Sequence, residues 1–135
     1  MKQADIQKLM EKARDTLQYS YSPYSNFPVG CALVTEDDQV FTGVNIENVS
    51  FGVTNCAERS AIYTAVSQGY RPGFVKAIAV AGETEAFLPP CSICRQVLVE
   101  FCGSETPVYL TRQDGEIFTT SVGELVPFAF ETMDM

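Results

Sequence analysis

The chain of 135 residues contains no histidine. This absence removes imidazole, a common metal ligand in proteins, from every site that the chain can build. A metal site must therefore use cysteine or carboxylate side chains, and the sequence holds five cysteines.

Positive charge is also scarce, with 9 Lys and Arg residues against 17 Asp and Glu residues and a net charge of −8. Binding to the backbone of a long nucleic acid needs a basic surface. We therefore expect no polynucleotide partner, whereas a small building block of nucleic acids stays compatible with this charge.

Long apolar runs are absent as well, since none approaches the roughly 20 residues of a membrane-spanning helix. The first residues, MKQADIQKLMEKARDTL, are charged and amphipathic rather than typical of a signal peptide. We expect no membrane partner and a cytoplasmic location, where thiols stay reduced. An odd number of cysteines there favours metal binding or a reactive thiol over disulfides.

The sequence shows no internal repeat, low-complexity tract or linker, which predicts a single domain over residues 1–135. Apolar periodicity and turn formers predict helices at 4–17, 55–68, 92–101 and 121–125. They predict strands at 29–35, 40–45, 75–81, 108–111 and 117–120. This order indicates an α/β fold, with helices on both faces of a mixed sheet of about five strands in three α/β/α layers.

Two cysteines stand three positions apart in the stretch PCSICR, at Cys91 and Cys94. This spacing is typical of zinc sites and also of thiol redox motifs. A third cysteine, Cys56, begins another predicted helix 35 positions upstream, and the redox interpretation leaves it unexplained.

A fourth protein ligand is hard to find in the sequence. Cys31 lies in a predicted strand, and Cys102 lies at the far end of the helix that Cys94 begins, about 12 Å away at 1.5 Å per residue. Structural zinc sites usually have four protein ligands, whereas catalytic sites keep one position open. Glu58, two residues after Cys56, could border that position as a proton shuttle, or be only a carboxylate favoured by the helix dipole.

The segment Cys56-Ala57-Glu58-Arg59 followed by Pro90-Cys91-x-x-Cys94 resembles the zinc-dependent nucleoside deaminases. The closer resemblance is to the small, homotetrameric, all-cysteine cytidine deaminases. It extends over nearly the whole chain, through the segments YSNFPVG at 24–30, GVNIEN at 43–48, CRQV at 94–97 and ELVPFAF at 124–130.

The resemblance implies that three thiolates bind one Zn²⁺ per subunit and that Glu58 is catalytic. It implies contacts with a nucleoside substrate from five residues, Phe27, Asn45, Glu47, Ala57 and Phe130. The resemblance also implies that Phe51 contacts a neighbouring subunit in a homotetramer. Arg59 would donate a hydrogen bond to a thiolate, which compensates part of the charge that three thiolates bring to one ion.

Read alone, these side chains have ordinary interpretations. Asn45 and Glu47 are common in turns, Phe27 and Phe130 are more often core residues, and an isolated arginine is usually solvated. The tyrosines at 19, 21 and 24 are expected to be packing residues.

The expected function is hydrolysis of cytidine and 2′-deoxycytidine in pyrimidine salvage. The alternatives are a deaminase of a blasticidin-type antibiotic nucleoside and a non-enzymatic zinc module.

Overall fold

A sheet of five strands runs through the centre of the molecule in the computed structural model, which describes residues 1–133. The strands are β1 (Val29–Thr35), β2 (Val40–Val44), β3 (Val75–Gly82), β4 (Pro107–Thr111) and β5 (Ile117–Ser121). Their order across the sheet is β2-β1-β3-β4-β5. Strands β3 and β4 are parallel and the other neighbours are antiparallel, so the predicted mixed sheet is confirmed.

In the described part of the chain, four α-helices accompany the sheet, namely α1 (Gln3–Asp15), α2 (Ala57–Ser67), α3 (Ser92–Phe101) and α4 (Val122–Leu125). Several predicted bounds differ from the observed ones by one or two residues. The first helix ends at Asp15 and continues as a 3₁₀ turn over Thr16–Tyr19. Helix α2 begins at Ala57 because Cys56 has an extended backbone and caps it. A further 3₁₀ turn at Phe51–Val53 was not predicted.

The helices pack on both faces of the sheet, which confirms the three-layer expectation. In β1, Cys31 and Leu33 join a core cluster with α2 and α3. Ala32 and Val34, which alternate with them, join a second cluster with α1. Strand β3 is buried on both faces, which explains its nearly continuous apolar sequence. Within residues 1–133, no helix is long and apolar enough to cross a bilayer.

Close approach of backbones fixes α2 against β2. A Cβ atom on Gly43 would lie 2.4 Å from the Ala61 nitrogen and 2.6 Å from the Ala57 oxygen. Only a residue without a side chain allows this contact. Glycine in the strand therefore sets the position of the helix that carries Cys56 and Glu58.

The chain brings the starts of α2 and α3 to one edge of the sheet. Val29, the first residue of β1, pairs with Gly82, the last residue of β3. Strand β3 leads toward α3, and β2 leads toward α2. The N-terminal ends of both helices therefore border the same edge.

The predicted domain includes positions 134 and 135, which lie outside the described residues.

Candidate metal centre and active site

Three cysteines meet where the two helices begin. Cys56 caps α2, Cys91 caps α3, and Cys94 lies in the first turn of α3. Their sulfur atoms all lie within 4.8 Å of one another. The sequence predicted this grouping, although 35 residues separate the first cysteine from the second.

The geometry of the sulfur atoms fits a zinc ion. Sulfurs bound at about 2.3 Å to a tetrahedral ion lie about 3.8 Å apart. The Cys56 and Cys91 sulfurs are 3.7 Å apart. Thiolate donors are also the soft ligands that zinc accepts readily. The three cysteines can therefore hold one Zn²⁺ ion.

The trio gains no fourth protein ligand within the described part of the chain. Among residues 1–133, no further cysteine or carboxylate joins the group of three. Cys31 is fully buried in the sheet, where burial raises its pKa well above the ordinary value. Burial also raises the pKa of Cys102 to about 12. Both remain neutral thiols and add no fourth ligand, so an ion held by the three cysteines would keep one position for water.

Hydrogen-bond donors converge on the two capping sulfurs. The Arg59 Nη2 atom donates to the Cys56 sulfur at 3.2 Å, as predicted. The Cys94 backbone N–H donates to the Cys91 sulfur at 3.4 Å. The pKa of Cys56 falls to about 5, chiefly because the Cys94 thiol donates to its thiolate, with Arg59 contributing. This arrangement favours the thiolate form that binds metal.

Glu58 is an almost completely buried carboxyl group beside the cysteines. Its exposed fraction is 4%. Burial raises its pKa to about 7, because the ionised form would lose its hydration. The first turn of α2 places Glu58 on the same cavity as Cys56 without making it a member of the sulfur cluster.

A cavity of about 340 Å³ opens over these groups. This volume lies within the range of about 300–1,000 Å³ that is usual for small-molecule sites. Its lining residues are Ser25, Phe27, Val29, Asn45, Glu47, Thr54, Cys56, Ala57, Glu58, Val80, Leu88, Pro89 and Cys91. Four of the five residues predicted to contact substrate are among them.

The fifth predicted substrate contact, Phe130, and the predicted subunit contact, Phe51, lie outside this cavity. Phe130 does not line it and is 59% exposed, while its carbonyl accepts a hydrogen bond from Gln96. Phe51 is 74% exposed and packs edge to face against Tyr24. The expectation that the three early tyrosines pack was wrong for Tyr19 and Tyr21, which are 70% and 56% exposed, whereas Tyr24 makes the ring contact with Phe51.

Asn45 and Glu47 are held by neighbours that the sequence did not suggest. The Asn45 amide donates to the Phe27 carbonyl at 2.8 Å and accepts from the Val29 N–H at 2.9 Å. Glu47 accepts from the Tyr24 and Ser25 N–H groups and from the Ser25 hydroxyl.

These contacts join the loop before β1 to the end of β2, and the Ser25 hydroxyl lowers the pKa of Glu47. Glu47 therefore stays ionised as a hydrogen-bond acceptor.

Sequence reasoning missed Ser25 and the wall formed by Leu88 and Pro89. Ser25 pairs with a residue 22 positions away, and no local pattern signals such a contact. Leu88 belongs to the loop between β3 and α3 and packs over Gly82. The only sequence signal was its position just before the PCSICR stretch.

Comparison with known proteins agrees with this site. The family model described as "Cytidine and deoxycytidylate deaminase zinc-binding region" matches residues 3–111. A cytidine deaminase from Sporosarcina psychrophila is 47% identical over 97% of this chain and 95% of its own length. One from Halalkalibacterium halodurans is also 47% identical, over 97% and 98% of the two chains.

The fold is shared with solved structures. A crystal structure of cytidine deaminase from Burkholderia pseudomallei matches with a TM-score of 0.90 and 48% sequence identity. The match covers 96% of this chain and 100% of that one. With its three converging cysteines and its five-stranded sheet, this chain belongs to the cytidine and deoxycytidylate deaminase family of zinc-dependent hydrolases.

Proposed function

We propose that the protein hydrolyses cytidine and 2′-deoxycytidine to uridine and 2′-deoxyuridine with release of ammonia. The observation that carries this proposal is Glu58, a buried carboxyl group that faces a cavity beside a three-thiolate zinc site. A purely structural zinc site needs neither the cavity nor the buried carboxyl group. The names of the two bacterial relatives support the same substrate class.

In the proposed reaction, Glu58 moves the protons. Cys56, Cys91 and Cys94 would hold the zinc ion, which would supply Lewis acidity and lower the pKa of water. Glu58 accepts a proton from the attacking water, whose oxygen forms the new bond to C4 of the pyrimidine. The carboxyl group delivers this proton to ring N3, then takes the second proton from the new C4 hydroxyl and passes it to the leaving amine. The C4–N bond breaks, ammonia leaves, and the oxygen remains as the carbonyl of uridine.

The cavity walls support a nucleoside as substrate. We propose that Phe27 stacks on the base and that Ala57, a small side chain, leaves room for it. Glu47, an ionised acceptor at the cavity, is suited to a ribose hydroxyl. Asn45 uses its amide to shape the loop around Phe27 and has one further N–H for a substrate hydroxyl.

We propose that the protein works as a homotetramer whose pockets are completed by neighbouring subunits. Exposed apolar side chains support this arrangement. Between β2 and α2 they include Ile46, Val49, Phe51 and Val53, and on the C-terminal segment Phe130. Exposed apolar groups concentrated in one region often mark an interface. Phe51 would contact a neighbouring chain, and Phe130 would reach a neighbour's pocket.

The proposed cellular setting is pyrimidine salvage in the cytoplasm, with the chain acting as a single domain. Free thiols support this setting, because the five cysteines, all within the described residues 1–133, form no disulfide there. The net charge of −8 also fits a small nucleoside better than a polynucleotide.

The test is the change in absorbance as cytidine is converted to uridine, with wild type and Glu58→Gln compared at equal zinc content. We expect Glu58→Gln to lose about 10²- to 10⁴-fold in kcat, because it cannot transfer protons. Glu100→Gln, the same change at an exposed position of α3, is the matched control and should keep wild-type activity.

Each alternative has its own outcome in this assay. Activity of Glu58→Gln equal to wild type would remove the proton-transfer role. If wild type itself left cytidine unchanged but deaminated a blasticidin-type nucleoside, the antibiotic alternative would replace the proposal. No conversion of either compound by zinc-loaded protein would favour the non-enzymatic module.

A further inference from the structure

Arg95 is a positively charged residue in the first turn of α3. A cation at this place is unfavourable, because the N-terminus of a helix carries partial positive charge. The side chain is partly buried, and two of its nitrogens donate to main-chain carbonyl groups. These contacts offer a reason for an otherwise disfavoured residue type.

The first set of contacts fixes the backbone around Cys91. The Arg95 Nε atom donates to the carbonyl of Pro90 at 2.8 Å, and its backbone N–H donates to the carbonyl of Cys91 at 2.9 Å. The second of these is the first main-chain hydrogen bond of α3 and needs no side chain, so the contribution of the arginine side chain to this turn is the bond to the Pro90 carbonyl. The Pro90 side chain is fully buried, so the turn is also held by packing.

This restraint matters because Cys91 is the most exposed of the three cysteines. Cys94 is buried, and Cys56 is half-buried and bound by Arg59. The Cys91 sulfur accepts from the Cys94 backbone N–H, so its position depends on the backbone of this turn. A contact that fixes the Cys91 backbone therefore also helps to retain the metal.

A second contact connects the same guanidinium group to the C-terminal segment. The Arg95 Nη1 atom donates to the carbonyl of Leu125, the last residue of α4, at 3.2 Å. The next residue, Gln96, donates to the carbonyl of Phe130 at 2.9 Å. Helix α3 thus holds the C-terminal segment at two points, one of which shares its side chain with the turn around Cys91.

We propose that Arg95 is a positioning residue that holds the Cys91 turn against the C-terminal segment and thereby retains zinc. The planar guanidinium group can serve two carbonyl groups in different directions at once, which a lysine ammonium on a flexible stem does less well. The proposal concerns metal retention alone and does not depend on which substrate the protein takes.

The experiment measures the rate at which zinc passes from the holoprotein to an excess of a colour-forming chelator. We expect Arg95→Ala to release zinc about 10- to 100-fold faster than wild type, the range usual for residues that orient metal ligands. The matched control is Arg71→Ala. Arg71 also donates to two main-chain carbonyl groups, those of Val66 and Tyr70, but it is exposed and takes no part in the metal site.

A release rate of Arg95→Ala within twofold of both wild type and Arg71→Ala would overturn the proposal. Each rate is measured well below the variant's own unfolding temperature, so that global unfolding does not contribute. If Arg95→Ala does not fold, Arg95→Lys is measured in its place. It should release zinc faster than wild type but more slowly than the rate expected for Arg95→Ala. Release from Arg95→Lys as slow as from wild type would then count against the role.

A second variant separates Arg95 from the rest of the C-terminal contact. Gln96→Ala removes only the side-chain donor to Phe130 and leaves both Arg95 contacts in place. Zinc release within twofold of wild type would support the assignment to Arg95. Release as fast as from Arg95→Ala would overturn it and assign retention to the whole segment.

Discussion

The Arg59 side chain addresses a problem of charge at the metal site. Three thiolates bring three negative charges to a divalent ion, which leaves the centre net negative and weakens the ion as a Lewis acid. The guanidinium group donates to the Cys56 sulfur at 3.2 Å and withdraws part of this charge. Its Nε atom is buried without a hydrogen-bond partner among the described residues, which carries a cost. The contact with the thiolate must outweigh this cost.

Arg59→Ala should lower zinc affinity about 10- to 100-fold, because it removes both the hydrogen bond and the neighbouring positive charge. Elemental analysis after dialysis against a chelator series would measure the change. Thr64→Ala, at an exposed position of the same helix, is the control and should retain zinc as wild type does. Full zinc and full turnover in Arg59→Ala would contradict the charge-compensation account.

At the scale of elements, the site depends on the distance between α2 and β2. Gly43 lies where the two backbones touch, and an added Cβ would clash with main-chain atoms of the helix rather than with a side chain that could move away. Helix α2 carries Cys56 at its cap and Glu58 in its first turn. A shift of this helix would therefore move a metal ligand and the proposed proton carrier together.

Gly43→Ala should lower the free energy of unfolding by about 1–3 kcal/mol, the usual cost of overpacking a core. It should also release zinc faster. Chemical denaturation of the holoprotein and zinc release to a chelator would measure the two effects. Gly52→Ala is the control for packing within the chain, since an added Cβ there meets no atom of its own chain within 4 Å. Equal stability of the two variants would show that α2 can move away from β2 without lowering the free energy of unfolding.

For the whole molecule, net charge and exposed apolar surface have opposite effects on the association of chains. Each chain carries a net charge of −8, which disfavours association, whereas exposed groups such as Phe51 favour it. Salt screens the repulsion without weakening apolar burial. Association of the chains should therefore become tighter as ionic strength rises.

Sedimentation at physiological salt should show a species of four 14.8 kDa chains. Phe51→Ser should shift the protein toward smaller species and raise KM for cytidine, because each proposed pocket needs its neighbours. Val40→Thr, which removes exposed apolar surface from the edge strand β2 outside the cavity, should sediment as wild type does. A wild-type species of 14.8 kDa would rule out the tetramer.

Local spacing in the sequence predicted most of the elements and the pair Cys91 and Cys94, whereas Cys56 joined them as a ligand through the resemblance to nucleoside deaminases. Two cysteines three positions apart at a helix start must lie close together, and Glu58 lies in the first turn of the helix that Cys56 caps. Apolar periodicity identified the strands and the longer helices because burial on one or both faces leaves a regular pattern. The short 3₁₀ turn at Phe51–Val53 has no such pattern and was missed.

The tertiary structure alone decided how the site is supported. Ser25 meets Glu47 across 22 positions, and Arg95 meets Leu125 across 30. Whether a tyrosine at position 19 or 21 is buried or exposed likewise depends on what packs above it, and the sequence suggested burial where the structure shows exposure. Such contacts arise only when the sheet brings distant segments to one edge. The sequence determines which groups can do the chemistry, and chain folding decides which neighbours hold them in place.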